Sequence, residues 1–299
     1  MNFNFGEHYY NGGSFLSDLV VTILGGLIGF GTALLFYYQQ NKRDEKVKGL
    51  ESQSEFKDTL VYIGLLLDGI VQTIEGQNKN CLDFVDRARK NPTEIESLMT
   101  FASQEVNRLL GIDSLKVFLT FRHSFSNQSD WIKEFRNLYN HLDFIDGHLK
   151  EVARVYENYR RSAYDRLLKF KGIVDHMPDV MAERSVEIRK EVKEYKDDSA
   201  YKFLQESIVR YRTLADGKAK IERYNPDFLE PVLTECVNKF ETAIFGPQII
   251  DGCKKARVLF NDVIIDSEDT ANSISQSPGQ LKESVEYLQR ISKKIKEIE

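Results

Sequence analysis

Cysteine, proline and tryptophan are scarce in this chain of 299 residues, which has three cysteines, six prolines and one tryptophan. The cysteines are far apart and lack the paired spacing of a zinc site or of a disulfide framework (Cys81, Cys236 and Cys253). We therefore interpret them as buried thiols of a protein in a reducing compartment. No metal and no cofactor is expected.

An excess of positive charge is also lacking, because 41 lysines and arginines face 46 aspartates and glutamates and give a net charge of -5. General binding to nucleic acid requires a basic surface that displaces counterions from phosphates, so this class is disfavoured, although a local basic site is left open. The sequence contains no glycine-rich phosphate loop, nucleophile elbow, kinase signature or metalloprotease helix motif. None of these common enzyme classes is indicated.

One long uncharged hydrophobic run is present, at residues 19–38, and a basic cluster follows it (Lys42, Arg43, Lys46 and Lys48). A helix of about 20 apolar residues can cross a bilayer. Basic flanks stay on the cytoplasmic side, so the run predicts a single pass with the N-terminus outside. It lacks the basic n-region of a signal peptide and is too long for an h-region. A buried core helix is the alternative interpretation.

Three small residues recur every fourth position inside this run: Gly25, Gly29 and Ala33. Such spacing lets two spanning helices approach closely, because no large side chain holds their backbones apart. The pattern favours self-association in the membrane and therefore a homo-oligomer. Glycine is also common in spanning helices that do not associate, which is the alternative.

The rest of the chain predicts an all-α fold, a cytoplasmic multi-helix bundle with a long central helix. Residues 60–74 are predicted to form a core helix, because Asp68 and the short length argue against a second transmembrane helix. The motif from Asn91 to Glu94 predicts a helix start, with that helix running to about Leu110. Ser277 and Pro278 predict the start of the last helix. No period-two alternation predicts a sheet.

The long central helix is predicted from about Asp130 to Lys171. It carries a heptad seam, which is a row of apolar residues spaced alternately by three and four (Phe135, Leu138, Leu142, Ile145, Leu149, Val152, Tyr156 and Tyr159). The predicted organisation is therefore a tail outside the cytoplasm at residues 1–14, a spanning helix and linker at 15–48, and a cytoplasmic domain at 49–299. A sub-boundary is predicted near residues 172–178.

One group of residues in the seam helix is a candidate catalytic site: Arg136, Asn137 and, after three more residues, His141. It resembles the Arg-polar-spacer-His signature of HEPN-domain ribonucleases, which are compact helical bundles. That resemblance implies a metal-independent site in which imidazole moves a proton and guanidinium holds a phosphate, with two protomers sharing one cleft. On a straight helix Arg136 and His141 point about 140° apart, so the alternative is a solvated arginine and a histidine beside the seam.

The segment from Phe135 to Asp146 also resembles the hallmark segment of the phage abortive-infection family. Those bacterial proteins have N-terminal membrane spans and a helical cytoplasmic part. This chain departs from the pattern with one span where two are usual, and its later half does not match. The resemblance implies Arg136, Asn137 and Tyr139 as the residues of interest, and it does not require a histidine at His141.

These observations lead to the hypothesis of a defence protein in the bacterial inner membrane, acting by RNA cleavage or by membrane disruption. The rival hypothesis is a non-catalytic single-span scaffold that recruits a partner to the inner membrane. Expected partners are the lipid bilayer, further copies of the chain, RNA under the nuclease hypothesis, and another defence protein or a phage component.

Overall fold

The computed structural model describes residues 14–126 and 129–298. Before Gln53 it describes only the side chains of Thr32, residues 34–43 and Lys46, so the side chains of Gly25, Gly29 and Ala33 lie outside the described set. The described part is helical and contains no strand, which confirms that the fold is all-α.

Eight α-helices make up the described chain. They are α1 (Ser14–Lys90), α2 (Gln104–Leu110), α3 (Ser114–Phe125), α4 (Trp131–Glu191), α5 (Ser199–Asp216), α6 (Glu230–Phe240), α7 (Gly246–Ser275) and α8 (Ser277–Lys296). A 3₁₀ turn and a π turn, Ile221–Arg223 and Asn225–Leu229, precede α6. The long central helix was therefore correctly predicted.

Helix α1 is continuous over 77 residues, which corresponds to about 115 Å. The hydrophobic run, the basic flank and the predicted core helix at 60–74 are thus parts of one element, without a break near residue 48. Its C-terminal part packs in the bundle: Leu60, Ile63, Leu67, Ile70 and Ile74 are almost completely buried, as predicted for a core helix.

Among the residues with described side chains, one stretch, Gln53–Lys90, is long and apolar enough to cross a membrane by length and composition. Half of its most apolar window is buried in the protein. The core helix of a bundle passes the same test, and the burial of Leu60 to Ile74 identifies this stretch as such a helix. The earlier run at 19–38 lies mostly outside the part of the chain in which side chains are described.

The bundle has two lobes, which α4 and α7 join. In the first lobe, α1, α3, the N-terminal half of α4 and α8 enclose one core, and a smaller cluster around Phe84 and Tyr159 continues it. In the second lobe, α5, α6 and the facing parts of α4 and α7 enclose another core around Phe170, Phe228 and Cys253. Helix α4 lies beside α1, with Tyr156 and Tyr159 against Phe84, and then continues past the end of α1 at Lys90. The second lobe therefore lies at the opposite end of the bundle from the N-terminal half of α1.

The predicted helix from Asn91 to Leu110 was wrong, because only Gln104–Leu110 is helical. Residues 91–103 instead form a non-helical strap whose backbone groups bond to side chains of α1. Gln77 accepts a hydrogen bond from the Phe101 N–H (2.8 Å), and Arg87 donates to the Ser97 carbonyl (2.6 Å). Glu94 does not cap this segment but pairs with Lys220 (2.8 Å). Tertiary partners thus override the local capping motif.

The central helix α4 extends to Glu191, twenty residues beyond its predicted end, and Pro178 lies inside it. A proline within a helix costs one backbone hydrogen bond, about 3 kcal/mol. Val174, Met177 and Met181 flank Pro178 and are all buried in the distal core, which favours continuation of the helix. The predicted sub-boundary at 172–178 therefore falls inside a continuous helix, close to the residue where the distal core begins.

Candidate functional site

The residues of the Arg-polar-spacer-His constellation do not all face the same space. Asn137 and His141 line a cleft of about 550 Å³ between the N-terminal part of α4 and α8, which we call the α4–α8 cleft. Arg136 is exposed and is not among the residues that line it. This is the geometry expected of residues five apart on an unbroken helix.

His141 is half-buried and held by two residues of α8. Its Nδ1 lies 3.0 Å from Oγ of Ser284, and its ring stacks on Tyr287 with a centroid distance of 4.4 Å. Burial lowers the pKa of His141 below its ordinary value; Glu283 opposes this shift, and Arg290 adds to it. A neutral imidazole is the form that can accept a proton.

The guanidinium that lines this cleft comes from α8, not from α4. Arg290 lies over the ring of Tyr287, 5.0 Å from its centroid, and pairs with Glu134 at 3.3 Å. Glu134 also pairs with Lys294 at 2.9 Å. Burial alone would raise the pKa of Glu134, but Lys294 and Arg290 outweigh it and lower the pKa, so the carboxylate stays ionised.

The charge balance of the cleft is acidic. Lys133 and Arg290 face four carboxylates, those of Asp130, Glu134, Glu283 and Glu286. An RNA phosphate requires a local excess of cations, and this lining has the opposite balance. A single chain therefore offers a neutral histidine in a cleft that repels phosphate.

A second histidine repeats the same arrangement one heptad further along α4. Nε2 of His148 lies 2.8 Å from Oγ of Ser277, and both Ser277 and Ser284 are buried. Burial lowers the pKa of His148 also, with Glu151 opposing the shift. The two pairs tie α4 to α8, which indicates a structural contribution of both histidines.

The sequence contains a signal for these pairs that the spacing of apolar residues alone does not reveal. His141 and His148 are seven residues apart, and so are Ser277 and Ser284. Two antiparallel helices in contact place such residues opposite each other.

Tyr139, which the abortive-infection resemblance implicates, is partly buried against the first core, and burial raises its pKa. No group of three or more metal-binding side chains occurs in the part of the chain that was described.

The N-terminal half of α1 is the other candidate site. Leu34, Leu35, Phe36, Tyr37 and Tyr38 are five consecutive large apolar residues, and each exposes more than half of its surface, with Phe36 at 73%. Exposed apolar side chains in such a continuous row are unusual on a protein that is surrounded by water. The row lies at the end of the uncharged run, directly before the basic cluster.

A comparison of the chain with protein families, curated proteins and solved structures finds no match. Its function is therefore inferred from the geometry of α1, of the α4–α8 cleft and of the distal lobe.

Proposed function

We propose that this chain is a membrane-anchored bacterial defence protein of the abortive-infection type, which acts through assembly of its spanning helices in the inner membrane. The observation that carries the proposal is the continuity of α1, which joins an uncharged run of 20 residues to the core of the bundle without a break. The exposed row from Leu34 to Tyr38 supports a lipid environment for the end of this run.

The proposed topology has the short N-terminus outside and the bundle in the cytoplasm, because the basic cluster follows the run. From Tyr38 to Thr59, the first buried residue among the described side chains of α1, the helix rises about 30 Å. The bundle would therefore stand off the bilayer on a helical stalk. Assembly of spans through Gly25, Gly29 and Ala33 would then be coupled to the bundle by an unbroken helix.

A protection assay tests this proposal in bacteria that express the full chain and are challenged with phage. The double substitution Gly25→Leu and Gly29→Leu should abolish protection, because two leucines would hold the helices apart. The matched control is Gly26→Leu with Gly31→Leu, two glycines of the same run that lie on other faces of the helix; it should retain protection. Loss of protection in both variants, or in neither, contradicts assembly through this face.

The second candidate function is RNA cleavage, and the observation that favours it is the neutral His141 in the α4–α8 cleft. Since Arg136 lies outside that cleft, the nuclease would require Arg136 of a second protomer. His141→Ala and Arg136→Ala should each abolish protection and degradation of total RNA under this function. Under the membrane function both variants should protect cells as the unaltered chain does.

The third candidate is a non-catalytic tether, supported by the distal lobe, which has a core of its own beside that of the first lobe. Under this function, protection or any other phenotype would depend on a partner of the bundle and not on Gly25 or His141. The double variant Arg136→Ala and His141→Ala would then be fully functional, and so would Gly25→Leu with Gly29→Leu.

A further inference from the structure

The distal lobe carries an open apolar groove between α4 and α7, with a volume of about 830 Å³. Its floor consists of Ile173, Met177, Ile249 and Leu259, and Val258 on its wall exposes 58% of its surface. We call it the α4–α7 groove. It is separate from the α4–α8 cleft, which lies in the other lobe.

Two glycines face the space of this groove from opposite walls. A Cβ atom added at Gly172 would meet nothing within 4 Å, and one at Gly252 would meet only Met177 at an ordinary contact distance of 3.7 Å. Both walls are therefore smooth where they carry these glycines, so a bulky ligand can approach the two backbones.

The rim of the groove is basic, although the whole chain is acidic. Lys169, Lys254 and Lys255 line it together with a single carboxylate, Asp251. Lys169 and Lys255 pair with acids of their own helices at 2.7 Å, and these exposed pairs contribute little energy and exchange readily with a ligand. Lys254 has no ion pair within the described residues.

The shape of the groove selects among the ligands that such a surface could bind. From Lys169 to Val180 it follows α4 for about 16 Å, which is three helical turns. It is open along its side, where Gly172 and His176 are exposed, so it would leave much of a small molecule in water. An amphipathic helix covers an open groove of this kind with side chains at i, i+3 or i+4, and i+7.

We infer that the α4–α7 groove binds an amphipathic helix of a partner protein, whose apolar face fills the groove and whose flanking glutamates or aspartates pair with Lys169, Lys254 and Lys255. The groove and its lysines are independent of the proposed membrane function, but the choice of a protein over the membrane as the occupant rests on it. With α1 anchored, the bilayer lies about 80 Å of helix away from Lys90, and the groove is further still. The partner is therefore a protein in the cytoplasm and not the membrane.

Fluorescence anisotropy on the full chain in nanodiscs of zwitterionic lipid tests the inference. The probes are two labelled helical peptides of about 15 residues with leucines at i, i+4, i+7 and i+11. One has glutamates beside the leucines, and the other has lysines at the same positions. The acidic peptide should bind at least about tenfold more tightly than the basic one, and the difference should decrease with added salt.

Variants locate the binding site. Gly252→Leu places a side chain in the groove, with its Cβ at an ordinary contact distance of 3.7 Å from Met177, and should weaken binding of the acidic peptide at least about tenfold. Lys254→Glu with Lys255→Glu should reverse the preference between the peptides. Gly147→Leu is the control, because Gly147 is a glycine of α4 with open space around it but far from the groove; peptide binding should be unchanged in this variant.

Three results would overturn the inference. The first is equal or absent binding of the two peptides, and the second is binding that Gly252→Leu does not alter. The third is a change in the oligomeric mass of the chain in Gly252→Leu without a change in peptide binding, since this would identify a second copy of the chain as the occupant. Light scattering on the same samples measures that mass.

Discussion

At the scale of single residues, the buried serines of α8 explain how polar groups are accommodated between the helices of the first lobe. Ser277, Ser284 and Ser292 are each almost completely buried, and each bonds to a titratable side chain of another helix, namely His148, His141 and Asp68. A buried hydroxyl without a partner would cost about 1–3 kcal/mol. The same pairs that satisfy the serines hold both histidines in partly buried positions.

These pairs predict a loss of stability in mild acid. The folded protein lowers the pKa of His141 and of His148 below the ordinary value of 6.5, so the unfolded chain binds protons first as the pH falls. Stability is therefore full above about pH 6.5 and decreases below it, until the folded histidines also titrate. Urea unfolding, followed by the fluorescence of Trp131 in the first lobe, measures this from about pH 8 to about pH 5.

The double variant His141→Asn with His148→Gln provides the control for this prediction. Its amides can replace Nδ1 and Nε2 as partners of the two serines, but they do not titrate. The free energy of unfolding should then depend less on pH between about 6.5 and 5. An acid dependence identical to that of the unaltered chain would show that other groups, and not these histidines, determine it.

At the scale of elements, the strap at residues 91–103 shows how a clear local signal is overruled. Asn80 donates to the Met99 carbonyl (3.1 Å), and Leu98 is buried. The bundle therefore provides a hydrogen-bond partner for the backbone of the strap and buries one of its apolar side chains. Gly76 of α1 permits this approach, because a Cβ there would lie 3.0 Å from the ring of Phe101. None of these partners is adjacent to the strap in the sequence.

Gln77 is the residue on which the strap should depend most. It is 1% exposed, accepts from the Phe101 N–H and donates to Sγ of Cys81. Gln77→Leu would leave the Phe101 N–H without its partner and should destabilise the protein by about 1–3 kcal/mol. Hydrogen exchange of the strap should increase in parallel. Gln72→Leu, at an exposed position of the same helix, should change neither quantity.

Periodicity allowed the buried stretch of α1 and the middle of α4 to be predicted, whereas it predicted neither the helix ends nor the residues of the site. From Leu138 to Tyr159 the seam is buried as expected, apart from the partly buried Tyr156, because the pattern of apolar residues reflects burial directly. The end of α4 at Glu191 depends on contacts with α5 and α7, which no local pattern contains. The same reason kept Tyr287 and Arg290 out of the predicted site, since only the packing of α8 on α4 brings them to His141.

At the scale of the whole molecule, α4 and α7 make the two lobes one body. Arg166 of α4 bonds to Asp266 of α7 at the junction, next to the hydrogen bond between Ser162 and Asp266 (3.0 Å). Among the side chains that the structure describes, every apolar core residue of both lobes lies at or after Leu60. The first 52 residues therefore contribute no described side chain to either core, and the bundle should not require them to fold.

This separation predicts the behaviour of a chain that begins at Gln53. It should remain in the supernatant after ultracentrifugation without detergent, and its circular dichroism should be strongly helical, because both cores are intact. The full chain should sediment with the membranes and dissolve only in detergent, since the row from Leu34 to Tyr38 and the run before it would lie in lipid.

A full chain with Leu27→Lys and Ile28→Lys should be released from the membrane, because two charges at the centre of a span are costly. If the full chain were soluble without detergent and folded, the run at 19–38 would be a water-exposed helix, and assembly in the membrane would no longer explain the stalk that joins it to the bundle.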